Sequence, residues 1–310
     1  MTHTLALNYL TCVIYTKSPK MSHPVTYKYT QCQRGRIHFA EAGSGEPLLL
    51  MHATPRSHRS FRNMLPLLAP HCRAIAIDTP GFGNSDPIPQ QITVEDLAAM
   101  VIDFMDNQEI ERAHVFGLHT GNKIGAAMAA GWPQRISSLI IAGHTHSLIA
   151  DPQSRDAAIH ALSDHYPPLY AEAPDGAENI RDWVAAHAET QKLWWQQNLI
   201  SSSQVEKKDV DYAEARVIDY LLGRHSIRAM YNAIFNFDFN AALAQLEAPT
   251  LVLELLTPDE AHHGEQAEKV CSLMKSARAA KVKNGDRSSL EKKPLTIVTP
   301  ILDFLRSQRN

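Results

Sequence analysis

One histidine of this sequence, His119, lies between two glycines at the point where an apolar run gives way to a helical pattern. Its surroundings read Gly117-Leu118-His119-Thr120-Gly121. Glycines at this spacing allow a tight turn from strand to helix, which lifts the central side chain above the edge of a sheet. The first amides of the following helix point toward the same space and favour negative charge there. An imidazole in this position could remove a proton from a substrate or attack it as a nucleophile.

Two other polar segments also follow apolar runs. They are His52-Ala53-Thr54-Pro55 and Asp78-Thr79-Pro80-Gly81-Phe82-Gly83-Asn84-Ser85. Apolar runs that end in polar residues are typical of strands buried on both faces of a parallel sheet. Because ligands bind outside the carboxyl ends of such strands, we expect these two segments and His119 to meet at one edge of the sheet.

The elements that would position these residues alternate along the chain. Strands are predicted at 25–31, 36–43, 47–54, 73–80, 113–119, 136–143 and 249–256. Between them, amphipathic patterns predict helices at FRNMLPLLA, VEDLAAMVIDFMDNQ and NKIGAAMAAGW. Strands that alternate with helices of this length imply crossover units and a mostly parallel sheet. The sequence therefore predicts the α/β fold class, with helices flanking the sheet.

Residues 147–247 break this alternation, because they contain no obvious buried strand and read mostly as helix. A helical insertion between two strands of a parallel sheet would lie over its ligand-binding edge. This insertion holds three of the four tryptophans, among them Trp194. We expect its aromatic residues either to form the insertion's own small core or to line an apolar substrate pocket.

In order and spacing, the three polar segments resemble the HGxP, DxPGxGxS and GxSxG or GxDxG patterns of the α/β-hydrolase superfamily. The resemblance is greatest to its haloalkane dehalogenase, epoxide hydrolase and esterase branch. It implies an α/β-hydrolase core at residues 25–146 and 248–310, a helical cap at 147–247 and a poorly ordered tail at 1–24.

The catalytic residues that this resemblance implies are only partly present. His119 stands at the position of the nucleophile, where the superfamily has serine, aspartate or cysteine. The acid position matches Asp259, with Glu260 in an alternative register, and the position of the usual histidine holds Arg287 or, in another register, Asp286. In this alignment a Ser-His-Asp mechanism is excluded.

The oxyanion hole that the resemblance implies consists of the backbone N–H groups of Thr54 and Thr120. Three interpretations of the whole site stay open. His119 could be the general base for cofactor-free chemistry, or a covalent nucleophile while Arg287 grips an anionic substrate. The site could also be inactive, in a protein that binds a small molecule as a receptor. We favour an enzyme that acts on a small, partly apolar molecule and is not an ordinary serine esterase.

Several other histidines also have competing interpretations. His52 is expected to orient the oxyanion loop beside the pocket, His144 could face the pocket, and His262 could act as a displaced base. A metal site formed by His119, His144 and His262 would lack the HxxxH or HExxH spacing that such sites show. We therefore expect no metal and no cofactor.

Composition excludes several further classes of protein. With 310 residues, 44% of them hydrophobic and 20% charged, the chain is typical of a globular protein. A net charge of −3 provides no general basic field for nucleic acid or an anionic membrane. Four cysteines without CxxC spacing favour a reducing cytoplasm. The expected partner is a small-molecule substrate, and a homodimer is left open.

The N-terminus is interpreted separately. Leu5–Tyr15 is an apolar stretch that is too short to span a bilayer and lacks clear signal-peptide features. We expect an untidy tail, consistent with translation beginning at Met21, and a targeting segment is the alternative. Because no later run of about twenty apolar residues exists, no membrane span is predicted.

Overall fold

The computed structural model describes residues 23–143, 207–255, 265–282, 285 and 288–309. Eight strands form one sheet in the order β1-β2-β4-β3-β5-β6-β7-β8. Their bounds are β1 Thr26–Cys32, β2 Gly35–Ala42, β3 Pro47–Met51, β4 Arg73–Ile77, β5 Ala113–Leu118, β6 Ile136–Ala142, β7 Thr250–Glu254 and β8 Ala277–Lys281. β1 and β2 pair antiparallel, β2 also pairs antiparallel with β4, and the remaining neighbours are parallel. The predicted α/β class and mostly parallel sheet are confirmed.

Helices follow most of the strands. Within the described ranges they are α1 Leu65–Leu68, α2 Val94–Asn107, α3 Thr120–Gly131, α4 Lys207–Gly223, α5 Ile227–Asn236, α6 Phe239–Ala244, α7 Ala267–Cys271, α8 Ser289–Lys292 and α9 Pro294–Ser307. Two short 3₁₀ helices, His58–Phe61 and Pro133–Arg135, precede α1 and β6. α4, α5 and α6 come between β6 and β7 in the chain, inside the range predicted as a cap.

Two hydrophobic clusters cover the two faces of the sheet. β3 shows the division, because Leu49 and Met51 belong to the cluster that includes α2 and α3. Leu48 and Leu50 belong to the opposite cluster, together with α1 and α9. Since successive strand residues point to opposite faces, a strand packed on both sides must be apolar at every position. This explains why the runs read as continuous and not alternating.

Several predicted elements are shorter than expected. The predicted strand at 47–54 ends at Met51, after which residues 52–55 leave the sheet, and the predicted strand at 73–80 ends at Ile77. The predicted helix over FRNMLPLLA is limited to α1, with a 3₁₀ turn before it. Proline suits the first turn of a helix but cannot continue one, and Pro66 takes that position in α1.

Candidate functional site

The turn between β5 and α3 gives His119 an unusual backbone conformation. Its φ is 49° and its ψ is −100°, a combination that costs a non-glycine residue conformational energy. The turn is tight enough that a Cβ on Gly117 would lie 2.4 Å from the backbone of Gly121. A Cβ on Gly121 would in turn lie 2.3 Å from the carbonyl oxygen of Met51. Both glycines of the motif are therefore required by close backbone approach.

The His119 ring lies against the end of the neighbouring strand. A Cβ on Gly143, which has a φ of +60°, would lie 2.5 Å from Nε2 of His119. The backbone N–H of His119 donates to the carbonyl of Ala142 at 3.0 Å. The half-buried imidazole is thus packed over a surface that only glycine leaves open.

Asn122 fastens this turn to the end of β6, and sequence reasoning missed it. Its side-chain amide donates to the carbonyls of Ala142 and Gly143 at 2.7 and 3.1 Å, while its Oδ1 accepts the N–H of Ala142 at 3.1 Å. The side chain is fully buried. Asn122 thereby fixes the strand end against which His119 packs.

The two residues predicted for the oxyanion hole lie next to each other. The backbone N–H of Thr54 donates to Oγ1 of Thr120 at 3.2 Å, and the two threonine hydroxyls are 3.0 Å apart. Thr120 is the first residue of α3, so its own N–H lies at the positive end of the helix. In this conformation the Thr120 hydroxyl occupies the acceptor position that a substrate oxygen would need at Thr54.

His52 is hydrogen-bonded to the loops that follow β3 and β4. Its Nδ1 is 2.9 Å from the carbonyl oxygen of Ala53, and its Nε2 accepts the N–H of Thr79 at 3.0 Å. A carbonyl accepts and an N–H donates, so the proton is on Nδ1. Complete burial lowers the pKa of His52, which favours the neutral ring. His52 joins the two loops that follow β3 and β4.

Lys123 lies on the first turn of α3, directly after the Thr120-Gly121-Asn122 segment. Its side chain is buried, and its ammonium lies 5.4 Å from the ring centre of Phe239. Phe239 begins α6, which packs against α3. The first turn after His119 is therefore covered by a helix from the segment between β6 and β7.

A buried ionic network beside Thr54 was not predicted. Nε of Arg56 donates to Asp219 of α4 at 2.9 Å, and its Nη2 donates to Glu291 of α8 at 2.6 Å. Burial alone would lower the pKa of Arg56, but the charges of Glu291 and Asp219 raise it, so the guanidinium stays ionised. The Tyr212 ring lies 5.2 Å from the guanidinium. No spacing rule links residues so far apart in the chain.

A second unpredicted cluster surrounds Asp78. Nδ1 of His38 and Nδ1 of His58 each lie 2.8 Å from one of its carboxylate oxygens. The backbone N–H groups of His58 and Asn84 donate to the same two oxygens at 2.7 and 2.8 Å. Burial would raise the pKa of Asp78, but the hydrogen bonds from His38 and His58 hold it far below its usual range. The carboxylate is therefore ionised and accepts from all four groups.

The remaining predicted site residues lie outside the described part of the chain. They are the acid candidates Asp259 and Glu260, the basic position Arg287 with its alternative Asp286, and the pocket candidates His144, Trp194 and His262. The described residues bring together His119, Thr54, Thr120 and His52 at the carboxyl ends of β3 and β5. This is the edge at which the sequence predicted them to meet.

Comparison with known proteins gives this architecture a family. A sequence model described as the alpha/beta hydrolase fold matches residues 46–253, about two thirds of the chain. The chain belongs to the α/β hydrolase fold family. The predicted superfamily is therefore confirmed.

Three relatives show the range of this family. A 2-hydroxy-6-oxononadienedioate/2-hydroxy-6-oxononatrienedioate hydrolase of Cupriavidus pinatubonensis is 24% identical over 70% of this chain and 73% of its own length. Haloalkane dehalogenase 2 of Mycobacterium bovis is 28% identical over 50% of this chain, which spans about half of that protein (53%). A crystal structure of a hydrolase from Pseudomonas aeruginosa PA01 superposes with a TM-score of 0.70 at 24% identity, covering 90% of this chain and 98% of that one.

These relatives are named as hydrolases, and this α/β hydrolase is likewise an enzyme of the hydrolase superfamily. The structural likeness, at under 25% identity, shows the fold alone. Among the described helices, none has the length and apolar character needed to cross a membrane.

Proposed function

We propose that this α/β hydrolase uses the imidazole of His119, in place of a serine or aspartate, as the general base in a reaction of a small, partly apolar molecule. The observation that carries the proposal is the backbone of His119, whose φ of 49° holds the side chain at the elbow between β5 and α3. Strain of this kind persists where surrounding structure enforces it and is concentrated at reactive positions.

The surroundings of His119 support chemistry in which negative charge develops on a substrate oxygen. The N–H of Thr120 lies at the start of α3, and the N–H of Thr54 is paired with a hydroxyl that rotation about one side-chain bond would remove. A substrate oxygen that displaces the Thr120 hydroxyl would accept from both amides. Proton removal by His119 would then produce an anion that these donors stabilise.

The relatives suggest the kind of substrate. The protein from Cupriavidus pinatubonensis is named for hydrolysis of a 2-hydroxy-6-oxo dienedioate, a molecule with an enol, a ketone and two carboxylates on an extended carbon chain. Such a compound offers both a removable proton and an oxygen that becomes anionic. We therefore propose a compound of this class as the first substrate to test, with cytoplasmic action and a helical cap over the site as further parts of the proposal.

The decisive experiment measures turnover of a 2-hydroxy-6-oxo dienedioate, a short aryl ester, a haloalkane and an epoxide by the wild type and by His119→Ala. General acid–base catalysis increases reaction rates by about 10²- to 10⁴-fold. For whichever substrate the wild type converts, His119→Ala should therefore lower kcat by about this factor. Its circular dichroism should match that of the wild type. His71→Ala, which alters an exposed histidine, is the matched control.

Unchanged turnover in a folded His119→Ala variant would overturn the general-base proposal. A receptor predicts another result: a ligand raises the melting temperature of both proteins and is recovered intact. A nucleophilic His119 predicts a covalent adduct on the ring, which mass spectrometry of a rapidly quenched reaction would detect.

A further inference from the structure

The cluster around Asp78 contains more ligand groups than its loop requires. Asp78 is fully buried at the end of β4, where residues 79–85 leave the sheet. The backbone N–H groups of His58 and Asn84 already fix both carboxylate oxygens. A Cβ on Gly83 would lie 2.2 Å from the carboxylate carbon, so the loop closes tightly around it. The histidines add two imidazoles to a carboxylate that the backbone already orients.

Three chain segments bring these groups together. His38 belongs to β2, Asp78 follows β4, and His58 begins the 3₁₀ helix after the turn at residues 52–55. One ring nitrogen from each histidine and one carboxylate oxygen lie within 4.8 Å of each other. The ring centres of His38 and His58 are 4.8 Å apart. Two imidazoles and a carboxylate at this separation form a nitrogen and oxygen donor set that suits Cu²⁺, Zn²⁺ or Ni²⁺.

We propose that His38, His58 and Asp78 form a binding site for one divalent transition-metal ion, which clamps the loop of residues 79–85 to β2 and to the 3₁₀ helix. The proposed general-base chemistry of His119 does not use these three residues.

A shared metal ion would replace the two histidine protons after an adjustment of the imidazole rings, because the donor atoms lie within 4.8 Å of one another and two ligands at about 2.1 Å from one ion are at most about 4.2 Å apart. Each Nδ1 is 2.8 Å from its carboxylate oxygen. For an ion about 2.1 Å from one Nδ1 and from the carboxylate oxygen beside it, the nitrogen–metal–oxygen angle would be about 85°. This is close to the cis angle of square-planar and octahedral sites. Each oxygen has a second lone pair for its backbone N–H, so those two bonds persist and hold the carboxylate in place.

The proton balance is also simple. With the carboxylate ionised, each Nδ1 carries a proton that it donates to Asp78. On metal binding, that proton moves to Nε2 of the same ring, and the ring stays neutral. The side chains of His38 and His58 are 6% and 7% exposed, so this edge of the cluster reaches the surface. Tyr27, which is 62% exposed, lies against both rings.

The test is a titration of chelator-treated full-length protein with Cu²⁺, followed by electron paramagnetic resonance. The wild type should bind one equivalent in a site with two imidazole nitrogens in its hyperfine pattern. His38→Gln and His58→Gln should each weaken this binding at least about tenfold, because each removes one of three ligands. His71→Gln, at an exposed histidine, should leave it unchanged and accounts for the background from other histidines.

A second measurement uses the wild type alone, in case the variants fold poorly. A crystal structure of the wild type grown with one equivalent of Zn²⁺ should show an anomalous-scattering peak between Nδ1 of His38, Nδ1 of His58 and the carboxylate of Asp78. Equal affinity and equal spectra in all four proteins, or the lack of such a peak between these three side chains, would overturn the proposal and leave the cluster as a group of hydrogen-bonded residues. Turnover by His119 is measured separately, so failure of either proposal is visible without the other.

Discussion

Two histidines follow neighbouring parallel strands of this enzyme and have opposite environments. His52, after β3, is fully buried, and both ring nitrogens bond to backbone atoms of the adjoining loops. His119, after β5, is half-buried, and its strained backbone presents the ring over Gly143. The same residue type at the same edge of one sheet thus serves two purposes.

The contrast shows where this fold holds conformational strain. At His52 the polar groups are satisfied and the backbone is ordinary, so removal of the ring should harm folding. At His119 the backbone is strained while glycines and Asn122 hold the turn, so removal of the ring should harm chemistry. Burial and strain, more than residue identity, separate a supporting histidine from a reactive one.

The largest effect on stability should come from His52→Ala. The change leaves the buried N–H of Thr79 without its acceptor and opens a cavity, which together should lower the free energy of unfolding by about 2–4 kcal/mol. Urea denaturation monitored by circular dichroism measures this. The exposed His71→Ala should change it by less than about 0.5 kcal/mol. Equal loss in the two variants would remove the distinction drawn for His52.

Replacement of His119 by glycine should increase the free energy of unfolding relative to replacement by alanine. Glycine adopts positive φ without the cost that a side chain imposes, so this variant should gain about 1 kcal/mol over His119→Ala, which keeps a Cβ. The comparison of the two variants isolates the backbone term, since both lack the imidazole. If His119→Ala proves as stable as His119→Gly, the strain at the elbow is negligible.

The smallest expected effect is on the pH dependence of the free energy of unfolding. Burial lowers the pKa of His52 in the folded protein, so below about pH 6.5 the unfolded chain binds the extra proton and the folded protein does not. Stability should therefore fall as the pH decreases through this range. His52→Ala should lose less stability than the wild type between about pH 7.5 and about pH 5.5. A steeper loss in the variant would contradict the neutral state of His52.

The fold could be predicted because its signals are local. Continuous apolar runs alternating with amphipathic ones specify buried parallel strands and crossover helices, and the motif around His119 marks one turn. The helix predicted over FRNMLPLLA begins later than expected, because Pro66 restricts where a helix can begin. The burial of Lys123 could not be predicted, because the helix that covers it comes more than a hundred residues later.

The side-chain networks of the site could not be predicted for a similar reason. Arg56 is separated from Asp219 by 163 residues and from Glu291 by 235. His38, His58 and Asp78 meet because β2 pairs with β4 and the chain turns back after β3. Such contacts are set by strand order and packing, and no sequence period records them.

The two buried ion pairs of Arg56 have a practical consequence for protein engineering. One guanidinium bonds to the segment inserted between β6 and β7, through Asp219, and to the helix before the C-terminal helix, through Glu291. A chimera that receives its inserted segment from a relative must therefore bring an acidic residue to the position of Asp219. Without it, the buried guanidinium of Arg56 would lose one of its two carboxylate partners. The chimera would then be destabilised at the contact between the core and the inserted segment, even if the inserted segment itself folds well.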